Sequence, residues 1–307
     1  VLGIPERSVL IGSTGVIGMQ IPMDRVKKGI AELASAKAET LEAGDAASRA
    51  IMTTDTHNKQ AAVSLELSGK TVTLGGMSKG SGMIHPGMCT MLAFLTTDAA
   101  IEKELLQKAA SEVLNETFNM ISVDGDMSTK DTLLVLANGL AGNEEIREEN
   151  EAYEAFKEAL FFVCRELAME MAGDGEGATK LIESQVVHAD TKEHAGILAK
   201  AVIQSNLTKA AIFGKDANWG RVLCALGYSG VSFDPEKVDL YFEADGKKML
   251  IFTDGSAADY SEEEAAELLG SSKVVILSDM HMGDEAATAW GCDLTYDYVK
   301  INADYRS

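Results

Sequence analysis

The chain has 307 residues, an apolar fraction of 46%, 4 prolines and 28 glycines, which fits an ordinary globular protein and excludes a disordered, collagenous or coiled-coil one. Its 48 acidic and 27 basic residues leave a formal charge of -21, which repels phosphate backbones and anionic lipid surfaces, so no nucleic acid and no membrane is expected as a partner. No apolar run reaches the length of a membrane span, and the start from Val1 to Arg7 lacks the basic end and apolar core of a signal peptide, so a cytoplasmic location is expected.

Short β-type runs alternate with longer amphipathic ones. Ser8 to Ile11 is apolar and β-like, and Asp24 is placed to cap a helix carrying Val26, Ile30 and Leu33 on one face, with a second helix starting near Asp45. Val63, Leu65 and Leu67 alternate with polar residues, Ser68-Gly69-Lys70 turns the chain, and Val72 and Leu74 resume the alternation, which predicts a hairpin. A glycine-rich loop follows, then an apolar strand at Met91 to Leu95 and a helix capped by Asp98 with Ile101, Leu105, Ala109 and Val113 facing inward. Thr132 to Ala137 reads as a strand. Glu144 to Met171 reads as a long helical region facing inward with Ala155, Leu160, Val163 and Leu167. Further strands are expected at Lys180 to Val187, Val274 to Leu277 and Leu294 to Ile301, with helices at Lys192 to Ile203, Asn218 to Gly227 and Ser261 to Leu269; Asp245-Gly246 joins Val238 to Phe242 and Lys248 to Thr253 as a second hairpin. Hairpins mixed with helices predict α+β layers and not a doubly wound parallel sheet.

The stretch Lys79-Gly80-Ser81-Gly82-Met83-Ile84-His85-Pro86-Gly87-Met88-Cys89-Thr90-Met91-Leu92 carries most of the chemistry. Its glycines permit tight turning and close backbone approach, and Pro86 fixes a bend ahead of Thr90. It is not a phosphate loop of the Gly-x-x-x-x-Gly-Lys order, since the lysine precedes the glycines. Asp124-Gly125-Asp126-Met127-Ser128 opens like a calcium loop, but Thr129 and Val135 stand where glycine and glutamate are needed. A turn with side-chain caps is favoured there over a metal held by Asp124, Asp126 and Asp131. Cys89, Cys164, Cys224 and Cys292 are far apart and read as buried thiols. Of the scattered histidines, only His85 is near enough in sequence to influence Thr90. Lys79 and Glu176, taken singly, read as solvated surface charges.

That loop, with Ser13-Thr14-Gly15-Val16-Ile17-Gly18, Met52-Thr53-Thr54-Asp55-Thr56, Asp174-Gly175-Glu176-Gly177-Ala178-Thr179-Lys180 and Asn302-Ala303-Asp304-Tyr305-Arg306-Ser307, closely resembles the ornithine acetyltransferase (glutamate N-acetyltransferase) family of arginine biosynthesis. Asp124 to Thr129 and Phe213 to Arg221 extend the resemblance over nearly the whole chain. It implies a layered α/β sandwich akin to the N-terminal-nucleophile folds, with mixed sheets. It also implies a precursor that cuts itself between Cys89 and Thr90, giving an α-chain segment of residues 1–89 and a β-chain segment of residues 90–307, usually assembled as α2β2. Thr90 is then the nucleophile and, through its freed α-amine, its own base. Thr14 and Gly15 correspond to the oxyanion hole, and Thr53, Lys79, Thr90, Glu176, Asn302 and Ser307 to substrate-binding positions.

The implied reaction passes an acetyl group from N2-acetylornithine to glutamate with no required cofactor; acetyl-CoA serves some family members as donor. Two alternatives stay open on the residues: a self-processing aminopeptidase or amidase in which water accepts the acyl group, and an inactive relative that binds amino acids. The second is motivated by the 12 residues that precede Ser13, a shorter lead than family precursors have. Lys130 where asparagine is usual, and Cys89 where alanine is commoner, are further departures.

Overall fold

A computed structural model describes residues 1–86 and 91–304 of the chain. Helix α1 (Met23–Ala36) starts behind Pro22, with Asp24 in its first turn and not at the cap, and α2 (Leu41–Ala50) is capped by the Thr40 hydroxyl, which accepts the Ala43 N–H at 3.2 Å. The apolar stripe of α1 has the expected spacing, yet Ile30 and Leu33 are 50% and 70% exposed. Among the described residues, none before Ser48 is buried. Ser8 to Ile11 is not a strand: Glu6–Ser8 forms a short 3-10 turn and residues 9–12 are irregular. An apolar run becomes a strand only where a neighbour completes its backbone hydrogen bonds.

The hairpin forms as expected from β1 (Lys59–Leu67) and β2 (Lys70–Lys79). Ser68 and Gly69 take φ of 52° and 69°, the two-residue turn whose twist matches the flanking strands. Next come β3 (Leu92–Thr97), α3 (Lys103–Glu116), β4 (Ile121–Ser122) and β5 (Thr132–Ala137). The order β1-β2-β3-β5 makes a four-stranded sheet in which β3 is antiparallel to β2 and parallel to β5. Asp98 does not cap α3; its carboxylate instead accepts the Thr73 N–H at 2.7 Å, tying β3 back to β2.

Helix α4 (Glu151–Gly173) begins later than Glu144 because Asn150 caps it, accepting the N–H groups of Ala152 and Tyr153. Then follow β6 (Leu181–Ala189), α5 (Lys192–Gln204), α6 (Asn206–Phe213), α7 (Trp219–Gly227), β7 (Asp239–Ala244), β8 (Lys247–Thr253), β9 (Ser256–Ala257), α8 (Glu262–Leu268), β10 (Lys273–Asp279), β11 (Glu285–Cys292) and α9 (Tyr296–Asp304). The second sheet runs β4-β11-β6-β10-β7-β8-β9, with β10 parallel to β6 but antiparallel to β7. Helix α4 packs on β1 and β2 of one sheet and on β11 and β6 of the other, while α5 covers β11 and β6. One apolar cluster, including Leu74, Leu95, Leu160, Leu167, Val186 and Trp290, runs through these layers.

Two mixed sheets with hairpins and packed helices make this the expected α+β class. The proposed strand from Leu294 to Ile301 is instead the helix α9, entered through the Thr295 hydroxyl, which accepts the Tyr298 N–H at 3.4 Å. Its alternation misleads because Tyr296 and Val299 are 84% and 65% exposed and face no neighbouring strand. Among the described residues, no helix is long and apolar enough to cross a membrane.

Candidate active site

The site is assembled around an ammonium group that the sequence does not single out. Lys59, at the start of β1, is fully buried. Its Nζ donates to Asp55 Oδ1 at 2.7 Å, to Asp174 Oδ2 at 2.6 Å and to the His57 carbonyl at 3.3 Å, which satisfies all three of its protons. The carboxylates pass this order on. Asp55 accepts the N–H of Thr53 at 3.0 Å and that of Gly80 at 2.8 Å, while Asp174 accepts the Thr56 N–H at 3.0 Å and the Thr56 hydroxyl. Ser81 donates its hydroxyl to the Asp174 carbonyl at 2.7 Å and accepts the Glu176 N–H on its own carbonyl at 3.1 Å. One buried cation therefore ties together the Thr53 loop, the end of β2 and the turn after α4. Burial pushes the Asp55 carboxyl up, but Lys59 and the two N–H donors outweigh it and leave it below the usual carboxylate range.

Those three segments carry Thr53, Lys79 and Glu176. Lys79 and Glu176 are 3% and 9% exposed, so neither is the solvated surface charge expected from its residue type alone. Lys79 Nζ donates to the Thr53 hydroxyl at 3.1 Å. Burial lowers its pKa, against the upward pull of Asp55, Asp131 and Glu176. Glu176 Oε2 accepts the Asn302 amide at 2.8 Å, bringing in α9. Gly82 leaves room beside it: a Cβ there would lie 2.4 Å from the Glu176 carboxyl carbon and displace that carboxylate. Gly177, at φ +69°, lets the same turn touch the Tyr298 backbone. Thr53, Lys79, Glu176 and Asn302 thus converge, with a buried cation and a buried anion on adjoining segments.

The loop between β2 and β3 is anchored on both sides. Asp124 accepts the N–H groups of Met83 at 2.7 Å and Ile84 at 3.0 Å, and Tyr298 donates to it at 3.3 Å; beyond the loop, Asp131 Oδ1 accepts the Met91 N–H at 2.6 Å. Asp124 and Asp131 are therefore capping groups, Asp126 gives its own N–H to Asp124 at 3.2 Å, and among the described residues no cluster of His, Cys, Asp or Glu is arranged to hold a metal. His85 Nδ1 lies 3.2 Å from the Ser122 hydroxyl, and burial lowers its pKa, aided by the charge of Lys200. Thr90, Cys89 and Ser307 lie outside the described residues. Thr14 is half-buried and Gly15 exposed in an irregular segment, with no hydrogen bond joining them to the cluster among the described residues. Nearby Gly12 rests on β3: a Cβ there would meet the Phe94 ring at 2.9 Å and Leu92 at 3.5 Å.

Of the cysteines, Cys164 and Cys292 are buried, with thiols pushed up by burial to about 12 and about 11, but Cys224 is exposed on α7. Sequence reasoning left Lys59, Ser81 and Tyr298 without a role. Asp55 and Asp174 stood inside quoted motifs, yet nothing local showed that they share one lysine.

The ArgJ family model matches residues 1–307. The chain is 55% identical over 306 residues to the arginine biosynthesis bifunctional protein ArgJ of Symbiobacterium thermophilum, covering 100% of this chain and 75% of that protein. It is 50% identical over 307 residues to the protein of the same name from Caldanaerobacter subterraneus subsp. tengcongensis, covering 100% and 76%. Among solved structures, the crystal structure of arginine biosynthesis bifunctional protein ArgJ from Bacillus halodurans superposes with a TM-score of 0.68 at 47% identity, over 70% of this chain and 100% of that one.

Proposed function

The chain belongs to the ArgJ family, and from that membership we propose that it is an arginine-biosynthesis acetyltransferase that moves an acetyl group from N2-acetylornithine to glutamate on Thr90. The observation that carries the reading is the convergence of Thr53, Lys79, Glu176 and Asn302. A buried ammonium and a buried carboxylate complement the α-carboxylate and α-ammonium of an amino acid, and the hydroxyl and amide beside them fit its remaining polar atoms.

Cleavage between Cys89 and Thr90 frees the threonine amine. This amine takes the hydroxyl proton as Oγ attacks the acetyl carbonyl carbon. The carbon–nitrogen bond to ornithine breaks, the proton passes to the leaving amine, and an acetyl-threonine ester remains. Glutamate's amine then attacks the ester, the carbon–oxygen bond breaks, and the proton returns to Oγ. The Thr14 hydroxyl and the Gly15 N–H stabilise the oxyanion in both halves; such a donor is worth about 3 kcal/mol. Gly12 lying against Leu92 favours this role, since it holds the Thr14 segment next to the strand that follows Thr90. No cofactor is called for, acetyl-CoA is a second donor, and the α and β segments assemble as α2β2.

Denaturing mass spectrometry tests the reading. The wild type should give two pieces meeting at Cys89 and Thr90, and the larger should gain one acetyl group on incubation with N2-acetylornithine alone. Thr90→Ala should give one intact mass and no transfer. Transfer by that variant, or an unacetylated wild type that still turns over, overturns the proposal.

A further inference from the structure

One cavity lies away from the cluster just described. It has a volume of about 1010 Å³ and opens above β6 and β11 between α3, α4 and α5. Phe161, Met169, Ile197 and Trp290 supply apolar wall. The charged groups around it are mostly satisfied by one another: Lys273 pairs with Glu183 at 2.8 Å, Lys192 with Glu116 at 3.1 Å, and Arg165 with Glu166 at 2.8 Å. Trp290 Nε1 donates to the same Glu183 oxygen, Oε2, at 2.9 Å.

Two lining charges have no such partner among the described residues: Glu193, which is exposed, and Lys200. Lys200 lines the cavity from α5, one turn beyond Gly196 and Ile197, so its ammonium belongs to the face of the helix turned toward the space. It is half-buried and has no ion pair or hydrogen bond among the described residues. Burial alone lowers its pKa; no carboxylate stands near enough to restore it. A desolvated cation without a partner is costly, and proteins retain one chiefly where something else supplies the opposite charge. An open space of drug-sized volume with apolar walls and one unmatched, partly desolvated cation has the character of a small-molecule site.

We propose that this cavity binds a small organic anion, with Lys200 taking the anionic group and Phe161, Met169, Ile197 and Trp290 contacting an apolar body. None of the residues of the acetyl-transfer cluster lines this cavity, although the Lys200 charge reaches His85 in the loop before Thr90; the proposal does not depend on the reading of Thr90. Carboxylate and phosphate share the required charge, so phenylacetate and phenyl phosphate serve as probes.

The experiment is calorimetric titration of each probe into the full chain, as wild type, K200M, K200R and K79M, with Trp290 emission followed in parallel. Saturable binding of at least one probe at millimolar concentration is expected, weakened tenfold or more in K200M and held within about threefold in K200R. The tighter probe identifies the anion class. K79M should bind as the wild type does. The apo K200M variant should melt no lower than the wild type, because it loses an unmatched, half-buried charge; K200Q provides a second neutral variant. The proposal is overturned if neither probe binds the wild type, if K200M and K200Q bind undiminished, or if K79M abolishes binding and so places the anion in the amino-acid site.

Discussion

Removing the Lys59 ammonium would leave Asp55 and Asp174 facing each other in the interior, and breaking a buried pair on one side costs about 3–5 kcal/mol. Lys59→Met should therefore lower the melting temperature, and in protein that still folds it should raise KM for both amino acids more than it lowers kcat, because Thr53, Lys79 and Glu176 lose their shared anchor. Steady-state kinetics beside a thermal melt check this. Acid should act on the same network. The folded Asp55 pKa is depressed, so its stabilisation is present above the unfolded value of about 3.9 and is lost as pH falls through the folded value. Asp55→Asn should flatten that part of the stability–pH curve. The rate profile should be bell-shaped. Activity should rise as the Thr90 amine loses its proton near about 7.7–8.0, and fall as Lys79, lowered from the ordinary lysine range by burial, loses its own. A descending limb unchanged in Lys79→Arg would show that another group sets it. The identities of Lys79 and Glu176 were legible in the motifs, but their burial was not, because charged side chains have no local mark of being interior.

Strand pairing decides what cleavage would do to the molecule. β2 lies before the cut and β3 after it, yet they pair along six positions from Leu74 opposite Thr97 to Lys79 opposite Leu92. Helix α4, also after the cut, packs on β1 and β2. The two pieces should therefore co-elute in native size exclusion and separate only in denaturant; native separation would contradict this pairing. The hairpins at Ser68-Gly69 and Asp245-Gly246 were readable because turn chemistry and alternation are local. Leu294 to Ile301 was misread for the same reason, since alternation on an exposed helix imitates a strand. β11 went unseen because its last four residues are buried on both faces and lose the alternation.

Across the whole molecule, packing is unevenly distributed. No residue before Ser48 is buried, and Ile11, Ile17, Met19 and Leu33 are all at least 70% exposed. Limited trypsin digestion at Lys27 or Lys28 should remove the opening segment with a change in melting temperature of no more than a few degrees, while abolishing transfer because Thr14 and Gly15 go with it. A large loss of stability on trimming would show that the segment is structural. By themselves the residues determined what is local: the turns, the amphipathic periods, the α+β class and, through matched motifs, the family and its threonine; the caps proposed at Asp24 and Asp98 were not among them. Only the tertiary structure decided that Lys59 meets Asp174 across 115 residues of chain and that Lys200 faces a cavity unmatched. An ion pair's worth, or a lone charge's cost, is set by desolvation, and desolvation exists only after α4 and α5 have closed against the sheets.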